Sequence, residues 1–271
     1  MSEAEVVTQS PRPSTRAMLA EQLRAGGLLP GQCVLVHSSL RSLGWVAGGP
    51  VAVIEALLDV LGPAGTLMMP THTGDNTEPA NWCEPPVPAA WWPVIREHLP
   101  AYDPARTPTR GMGCIAELFR CWPGAVRSEH PIGSFAALGP YAERLTAGHT
   151  EPEEIFGEGS PLARLYELDG YVLLLGVGHA SNTSLHLAEY RAHWPGKRTV
   201  AEGCAMQVKG VRQWVSFEML KLETDDFPDI GAAYETAHGI HPHLVGQAET
   251  RLLRQRPLVD LATEWMSRHR R

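Results

Sequence analysis

Apolar residues fall along the chain in two patterns, short unbroken runs and helical stripes, and their alternation predicts an α/β fold. Residues 14–25 place Met18, Leu19 and Leu23 at helical spacing and stop at Gly26-Gly27. Residues 32–37 (QCVLVH) read as a buried strand, followed by a Ser/Gly loop over 38–50 (SSLRSLGWVAGGP). Residues 51–61 carry Val51, Ile54, Leu57, Leu58 and Leu61 on one stripe, a helix closed by Gly62-Pro63. Residues 66–69 (TLMM) give a second strand, ended by Pro70. Helix, strand, loop, helix, strand is the order of a right-handed crossover in an α/β sheet.

Residues 71–108 interrupt this pattern with many prolines and with Trp82, Trp91 and Trp92; Trp122 lies just beyond. They read as a long surface excursion with one short helix at 91–98. Such excursions often line binding sites, and a decoration that only packs is the alternative. Helices are predicted at 113–121, 139–147 and 161–166. Residues 170–175 (GYVLLL) are the clearest buried strand, Gly176-Val177-Gly178 opens a loop, and Asn182-Thr183 is placed to cap a helix through Leu187, Ala188 and Tyr190. Residues 199–208 and 213–219 flank Lys209-Gly210 as an antiparallel hairpin. A helix at 244–253 and a tail helix at 259–266 are expected to close the chain. With no repeat and no linker, residues 13–271 read as a single domain with an insertion at about 71–108. Residues 1–12 read as a disordered polar tail.

The chain has 271 residues, 44% of them hydrophobic, enough for one sizeable core. No apolar run reaches the roughly 18 residues a membrane helix needs, so no membrane partner is expected. The polar N-terminus has no apolar signal region, which makes the cytoplasm the expected compartment. The cysteines, Cys33, Cys83, Cys114, Cys121 and Cys204, are odd in number and form no CxxC, so reduced thiols are expected. A net charge of −7 without a Lys/Arg cluster argues against nucleic acid. It suits a cationic ligand, and is equally the ordinary balance of a soluble protein.

Four stretches carry candidate chemistry. The loop His37-Ser38-Ser39-Leu40-Arg41-Ser42-Leu43-Gly44 follows a strand and precedes a helix, where backbone N–H groups, hydroxyls and a helix N-terminus can cradle phosphates. It is neither a Walker loop nor GxGxxG, and a serine-rich turn without a ligand is the alternative. In residues 178–189 (GHASNTSLHLAE), His186 and Glu189 are three apart and share a helix face. Glu189 can orient the imidazole, His186 can accept a proton, and Thr183 and Ser184 can donate to an oxyanion. A satisfied half-buried histidine, a helix-surface contact or part of a metal site compete, although no third metal ligand stands at a fitting spacing. In residues 127–137 (RSEHPIGSFAA), His130 is a second acid/base candidate and Arg127 a phosphate partner; the alternative is a structural loop in which His130 caps backbone groups. Finally, Asp75, Glu78, Glu218, Glu223, Asp225 and Asp226 can attract ammonium groups. Asp225 and Asp226 read better as a solvated face.

Taken in order, VHSSLRSLGWVAGG, TLMMPTHTGDNTEPANW, YDPARTPTRGMG, VRSEHPIGSFAALG and LLLGVGHASNTSLHLAE resemble the aminoglycoside 3-N-acetyltransferase family, whose fold is not that of the GNAT enzymes. The resemblance covers about residues 14–227, and NTSLHLAE is its most specific piece. It implies a single-domain α/β/α sandwich with a small antiparallel hairpin region. It also implies acetyl-CoA as donor, no metal, and a polycationic aminoglycoside as acceptor, modified at its 3-amino group. A homodimer is compatible with it. It assigns catalysis to His186, not His179, and has Thr183 hold the thioester oxygen; the carboxylate that supports His186 is Glu189 or another acid. CoA would lie against Ser38, Ser39, Leu40, Arg41, Ser42, Leu43 and Gly44, bordered by Thr71, Ser134 and Phe135. The acidic acceptor pocket would fall on Asp75 and Glu218, with Glu189 as a further candidate, and Glu78 in the same excursion joins them as an acceptor-binding candidate from its charge. Competing functions are the same chemistry on another amine, a CoA-binding protein without turnover, and a hydrolase using His186 with Ser181 or Ser184. The hydrolase reading lacks GxSxG.

Overall fold

The computed structural model describes residues 3–271. The first third contains α1 (Glu3–Gln9), α2 (Arg16–Ala25), β1 (Cys33–Ser38), α3 (Gly49–Leu61), β2 (Thr66–Pro70) and α4 (Trp92–His98). The middle contains α5 (Gly113–Phe119), β3 (Val126–Arg127), β4 (Phe135–Leu138), α6 (Ala142–Thr146), α7 (Pro161–Glu167), β5 (Tyr171–Leu175) and α8 (Ser184–Arg191). The remainder is β6 (Thr199–Val208), β7 (Val211–Leu220), α9 (Phe227–His238), β8 (His243–Val245), β9 (Ala248–Arg254) and α10 (Gln255–His269).

Seven strands form one mixed sheet in the order β3-β4-β2-β1-β5-β9-β8. Only β2, β1 and β5 run parallel, with β1 in the middle. The central strands bury both faces, so their residues alternate between two cores. Leu35, Met68, Phe135, Val172, Leu174 and Leu253 enter one core, with α7, α8, α9 and α10. Val34, Val36, Leu67, Met69, Leu173 and Leu175 enter the other, with α2, α3 and α5. Two-sided burial explains why these strands read as apolar runs rather than alternating ones. The predicted α/β/α sandwich is what forms. β6 and β7 make the separate hairpin, turning at Lys209-Gly210 with both residues at positive φ (52° and 77°), a geometry that matches the twist of the strands.

The excursion after β2 is held at both ends by one buried guanidinium. Arg127 donates to the Thr71 carbonyl (2.7 Å) and the Thr107 carbonyl (2.6 Å). Along its length it is tied to the hairpin: the Asn76 side chain pairs with the backbone of Ala205, and Arg212 donates to the Leu99 carbonyl.

Two expectations are corrected, and further elements are added to those expected. Residues 244–253 are not a helix but the β8–β9 hairpin, turning at Gly246 (φ 60°). Leu252 and Leu253 are adjacent and apolar because β9 sends one to each core, and the helical spacing was a coincidence of that. The N-terminal stretch expected to be a disordered tail carries α1, none of whose residues is buried; Met1 and Ser2 lie outside the described residues. Ser10 and Ser14 tether it, through the Trp45 N–H to the Ser10 hydroxyl and a parallel bridge from Ser14 to Val46. Finally, α9 and β4 were not expected. Phe227, Ile230 and Tyr234 do stand at helical spacing, and β4 is only four residues long and half alanine.

The turn after β4 packs against the start of β2 with no room for a side chain. Gly139 has φ 128°, and a Cβ there would lie 2.2 Å from the Gly65 carbonyl oxygen. Gly139→Ala is expected to destabilise the fold by roughly 1–3 kcal/mol, read from the denaturant midpoint. An unchanged midpoint would mean that this corner yields.

Candidate active site

The three parallel strands end, by way of Ser38, Pro70 and Val177, on a cavity of about 540 Å³. Ligands of open α/β sheets collect at such ends. One wall is the loop after β1, folded into a single tight turn in which the Ser39 and Ser42 hydroxyls meet at 2.8 Å. Ser38, Ser39, Leu40 and Arg41 line the cavity. Arg41 is exposed and has no ion-pair partner among the described residues. The rest of the predicted loop turns away. Ser42 lines a neighbouring cavity beside His179, Leu43 is in the core, and Gly44 packs under Gln247. The cavity is also lined by Gly111 to Ala116, the segment that leads into and begins α5.

His186 stands on the cavity wall in the first turn of α8, its ring stacked on Phe156 (centroids 5.0 Å, planes 10° apart) and flanked by Phe227 at 4.9 Å. Its Nδ1 hydrogen-bonds Glu189 Oε2. A carboxylate only accepts, so Nδ1 carries the proton and Nε2 is left as the acceptor of the ring. Glu189 is fully buried, and its other oxygen accepts from Arg270 Nη1 (2.6 Å) and the Glu223 N–H (2.9 Å). Thr183 sits at the N-cap of α8 and lines the cavity with its hydroxyl uncommitted to the cap, while Asn182 Oδ1 takes the Ser184 N–H. Ser184, a candidate donor in the sequence, is fully buried and bonded to Gln255. His37, from β1, also reaches this cavity. Burial, and to a lesser degree His186, push its imidazole down to about 3, and its Nε2 is buried without a partner.

Other predicted positions belong to the scaffold. The Thr71 and Ser134 hydroxyls, 3.1 Å apart, both accept from Arg127 Nε, and Phe135 is in the core; none of the three lines the cavity. Arg127 is consumed by that network, so it is not a phosphate partner. His130 is fully buried, and its Nδ1 accepts the Ile132 and Gly133 N–H groups, which is the capping alternative. Among the acids, Asp75 is paired with Arg110 (2.5 Å) and Glu78 with Arg96 (2.5 Å). Glu78 and Glu218 meet Glu202 and Arg96 around a separate cavity of about 500 Å³ between the excursion and the hairpin, where Glu218 has no ion-pair partner among the described residues. Asp226, read as a solvated acid, instead holds Arg270. Among the described residues no three His, Cys, Asp or Glu side chains are grouped to hold a metal ion.

A histidine–carboxylate pair beside a hydroxyl and a basic loop, all at the ends of parallel strands, equips a protein for base-assisted group transfer. Residues 35–267 match the family model for aminoglycoside 3-N-acetyltransferase, and the chain belongs to that family. It is 44% identical over 262 residues to the SPbeta prophage-derived aminoglycoside N(3')-acetyltransferase-like protein YokD of Bacillus subtilis, covering 96% of this chain and 95% of that protein. The crystal structure of YokD superposes with a TM-score of 0.95 at 42% identity, covering 98% of both chains. Aminoglycoside N(3)-acetyltransferase VII of Streptomyces paromomycinus is 39% identical over 280 residues, covering 98% of this chain and 96% of that one. The binary complex of AAC-IIIb with CoASH is similar at a TM-score of 0.83 and 32% identity, covering 95% and 97%.

Proposed function

We propose that this chain transfers the acetyl group of acetyl-CoA to the 3-amino group of an aminoglycoside, by direct attack in a ternary complex. The observation that carries the reading is the His186–Glu189 pair on the wall of the cavity at the parallel-strand ends. The relatives' names and the CoASH complex of AAC-IIIb support the donor and the acceptor.

CoA lies with its phosphates toward Arg41, Ser38 and Ser39 and its thioester toward α8. The amine attacks the thioester carbonyl and a C–N bond forms. Its proton passes to Nε2 of His186, and Glu189 stabilises the imidazolium. The Thr183 hydroxyl donates to the oxyanion. The C–S bond then breaks, and the CoA thiolate leaves with the proton from His186. Positioning in the ternary complex contributes at least as much as the base. Glu218 and Glu202, with Glu78 still shared with Arg96, offer carboxylates to the other ammonium groups. Asp75, held by Arg110, has a secondary part. The chain acts in the cytoplasm.

The test is acetyl-CoA thiol release against sisomicin, gentamicin and simple polyamines. Release that depends on an aminoglycoside establishes the reading. Release with polyamines alone would move the acceptor to another amine class, and CoA binding without release would leave a binding protein.

No acyl-enzyme is required. Burial pushes the thiols of Cys33 and Cys204 up to about 12, which makes them inert. Each Cys→Ser variant is therefore expected to keep its thiol-release activity. Loss in Cys114→Ser, whose thiol lines the donor cavity, would instead point to a covalent route.

A further inference from the structure

The buried carboxylate beside His186 is held by a residue that nothing in the sequence motif contains. We propose that Arg270 is the positioning residue of the His186–Glu189 pair: its guanidinium shares the Glu189 carboxylate and thereby keeps His186 unprotonated and able to accept a proton. The inference rests on the reading of His186 as the base.

Arg270 follows α10, far from the motif in sequence, and its side chain is only 7% exposed. Its three nitrogens are all committed. Nη1 donates to Glu189 Oε1 (2.6 Å), Nε and Nη2 donate to the two oxygens of Asp226 (2.7 Å each), and Nη2 also reaches the Glu223 carbonyl (2.9 Å). The guanidinium lies over the Trp194 ring, 5.0 Å from its centroid. Burial works against its charge, and the hydrogen bonds it donates to Asp226 and Glu189 outweigh it, so the proton is held more firmly than in a free arginine. Glu189 is thus divided: Oε2 faces His186, and Oε1 faces Arg270 and a backbone N–H.

The consequence is electrostatic. A neutral imidazole beside an ionised, buried carboxylate carries one net negative charge, and this is the form a general base must have. Holding a net negative charge away from water costs free energy. A cation on the far oxygen offsets that cost. The other groups facing the pair do not replace it. His37 from β1 and His72 from the segment after β2 are both pushed down to about 3, chiefly by burial, and stay neutral. Tyr190 on α8 is pushed upward, chiefly by burial, and also stays neutral. Lys197 is a second cation that acts on Glu189 by charge, but it does so at a distance, because its ammonium bonds the Tyr190 and Ala192 carbonyls and not the carboxylate. Asp226 and Glu223, ahead of α9, are negative, and Glu223 is paired with Lys221.

The test is an NMR titration of the His186 ring in the whole protein, its resonance assigned by its absence in His186→Ala. In Arg270→Gln the midpoint is expected to move up by about one pH unit, and Arg270→Lys should restore most of the wild-type value. Asp226→Asn leaves Arg270 in place with less of its charge neutralised, so it should move the midpoint down; it serves as the second variant if Arg270→Gln does not fold. The acid limb of the kcat/KM profile for thiol release with sisomicin should move in the same directions. Midpoints unmoved in both folded variants, or a loss of activity in Arg270→Gln that is equal at every pH, would overturn the proposal. Near-normal turnover in His186→Ala would instead remove the reading beneath it.

Discussion

Substituting His186 with alanine is expected to lower kcat for thiol release by about 10²–10⁴-fold, with KM for acetyl-CoA little changed. The ring makes no contribution to holding phosphates, since the basic loop lies on another wall of the cavity. Its role is the proton, so the loss belongs to kcat. Stability must be separated from chemistry, because the ring is packed between Phe156 and Phe227 and its removal leaves Glu189 Oε2 buried and unpaired. Such an orphaned acceptor costs roughly 1–3 kcal/mol. His186→Asn is the cleaner variant: its amide can donate to Glu189 in place of Nδ1, and it offers no base at Nε2. Both variants should show this loss of kcat, and the asparagine one should keep nearly the wild-type melting temperature. A folded His186→Asn protein with near-normal kcat would assign the base elsewhere.

The second large effect is on stability against acid. His37 and His72 are pushed down to about 3 and His130 to about 4, in each case chiefly by burial, and burial also takes His149 well below the ordinary value. Their rings sit close together, His130 and His149 at 4.5 Å, with Phe135 between His72 and His149. A histidine whose folded value lies below its unfolded value, near 6.5, contributes its full stabilisation above pH 6.5. Below that pH the unfolded chain takes up a proton that the folded chain refuses. Stability then falls by about 1.4 kcal/mol per group per pH unit until the folded value is reached. At pH 5 three such groups cost about 6 kcal/mol together, a large share of the stability of an ordinary domain. The melting temperature should therefore drop steeply between pH 6.5 and 4.5, before most carboxylates titrate. Glu117 adds to the loss only lower down, because Arg120 and the Thr109 N–H outweigh its burial and hold its carboxyl at about 2. A melting temperature flat to pH 5 would mean that these imidazoles are solvated or already charged in the folded state.

Much of the fold was legible because its signals are local. The runs CVLVHS, TLMMP and YVLLL each had to fill two cores at once, and a stretch that does so is apolar throughout. The stripe of α3 and the Lys209-Gly210 turn are likewise written in adjacent residues. Of the site, the loop after β1 and the His186–Glu189 spacing were legible for the same reason: one turn of chain places them.

What sequence alone could not decide depended on which segments meet. Strand β9 and a helix place the same leucines plausibly until the β5 edge is known to need a partner. Whether an acid is free or neutralised was settled by arginines tens of residues away: Arg110 for Asp75, Arg96 for Glu78, and Arg270 for both Asp226 and Glu189. The surroundings of Thr71, Ser134 and Phe135 were decided in the same way, by a buried Arg127 that donates to the two hydroxyls and by a core that takes the ring. The sequence determined the three parallel strands, the hairpin β6–β7, the basic loop and the histidine with its carboxylate, because backbone geometry fixes neighbours within a turn. The tertiary structure decided charge pairing and the boundary between cavity and core, because electrostatics and burial depend on distance in space, which the order of residues does not contain.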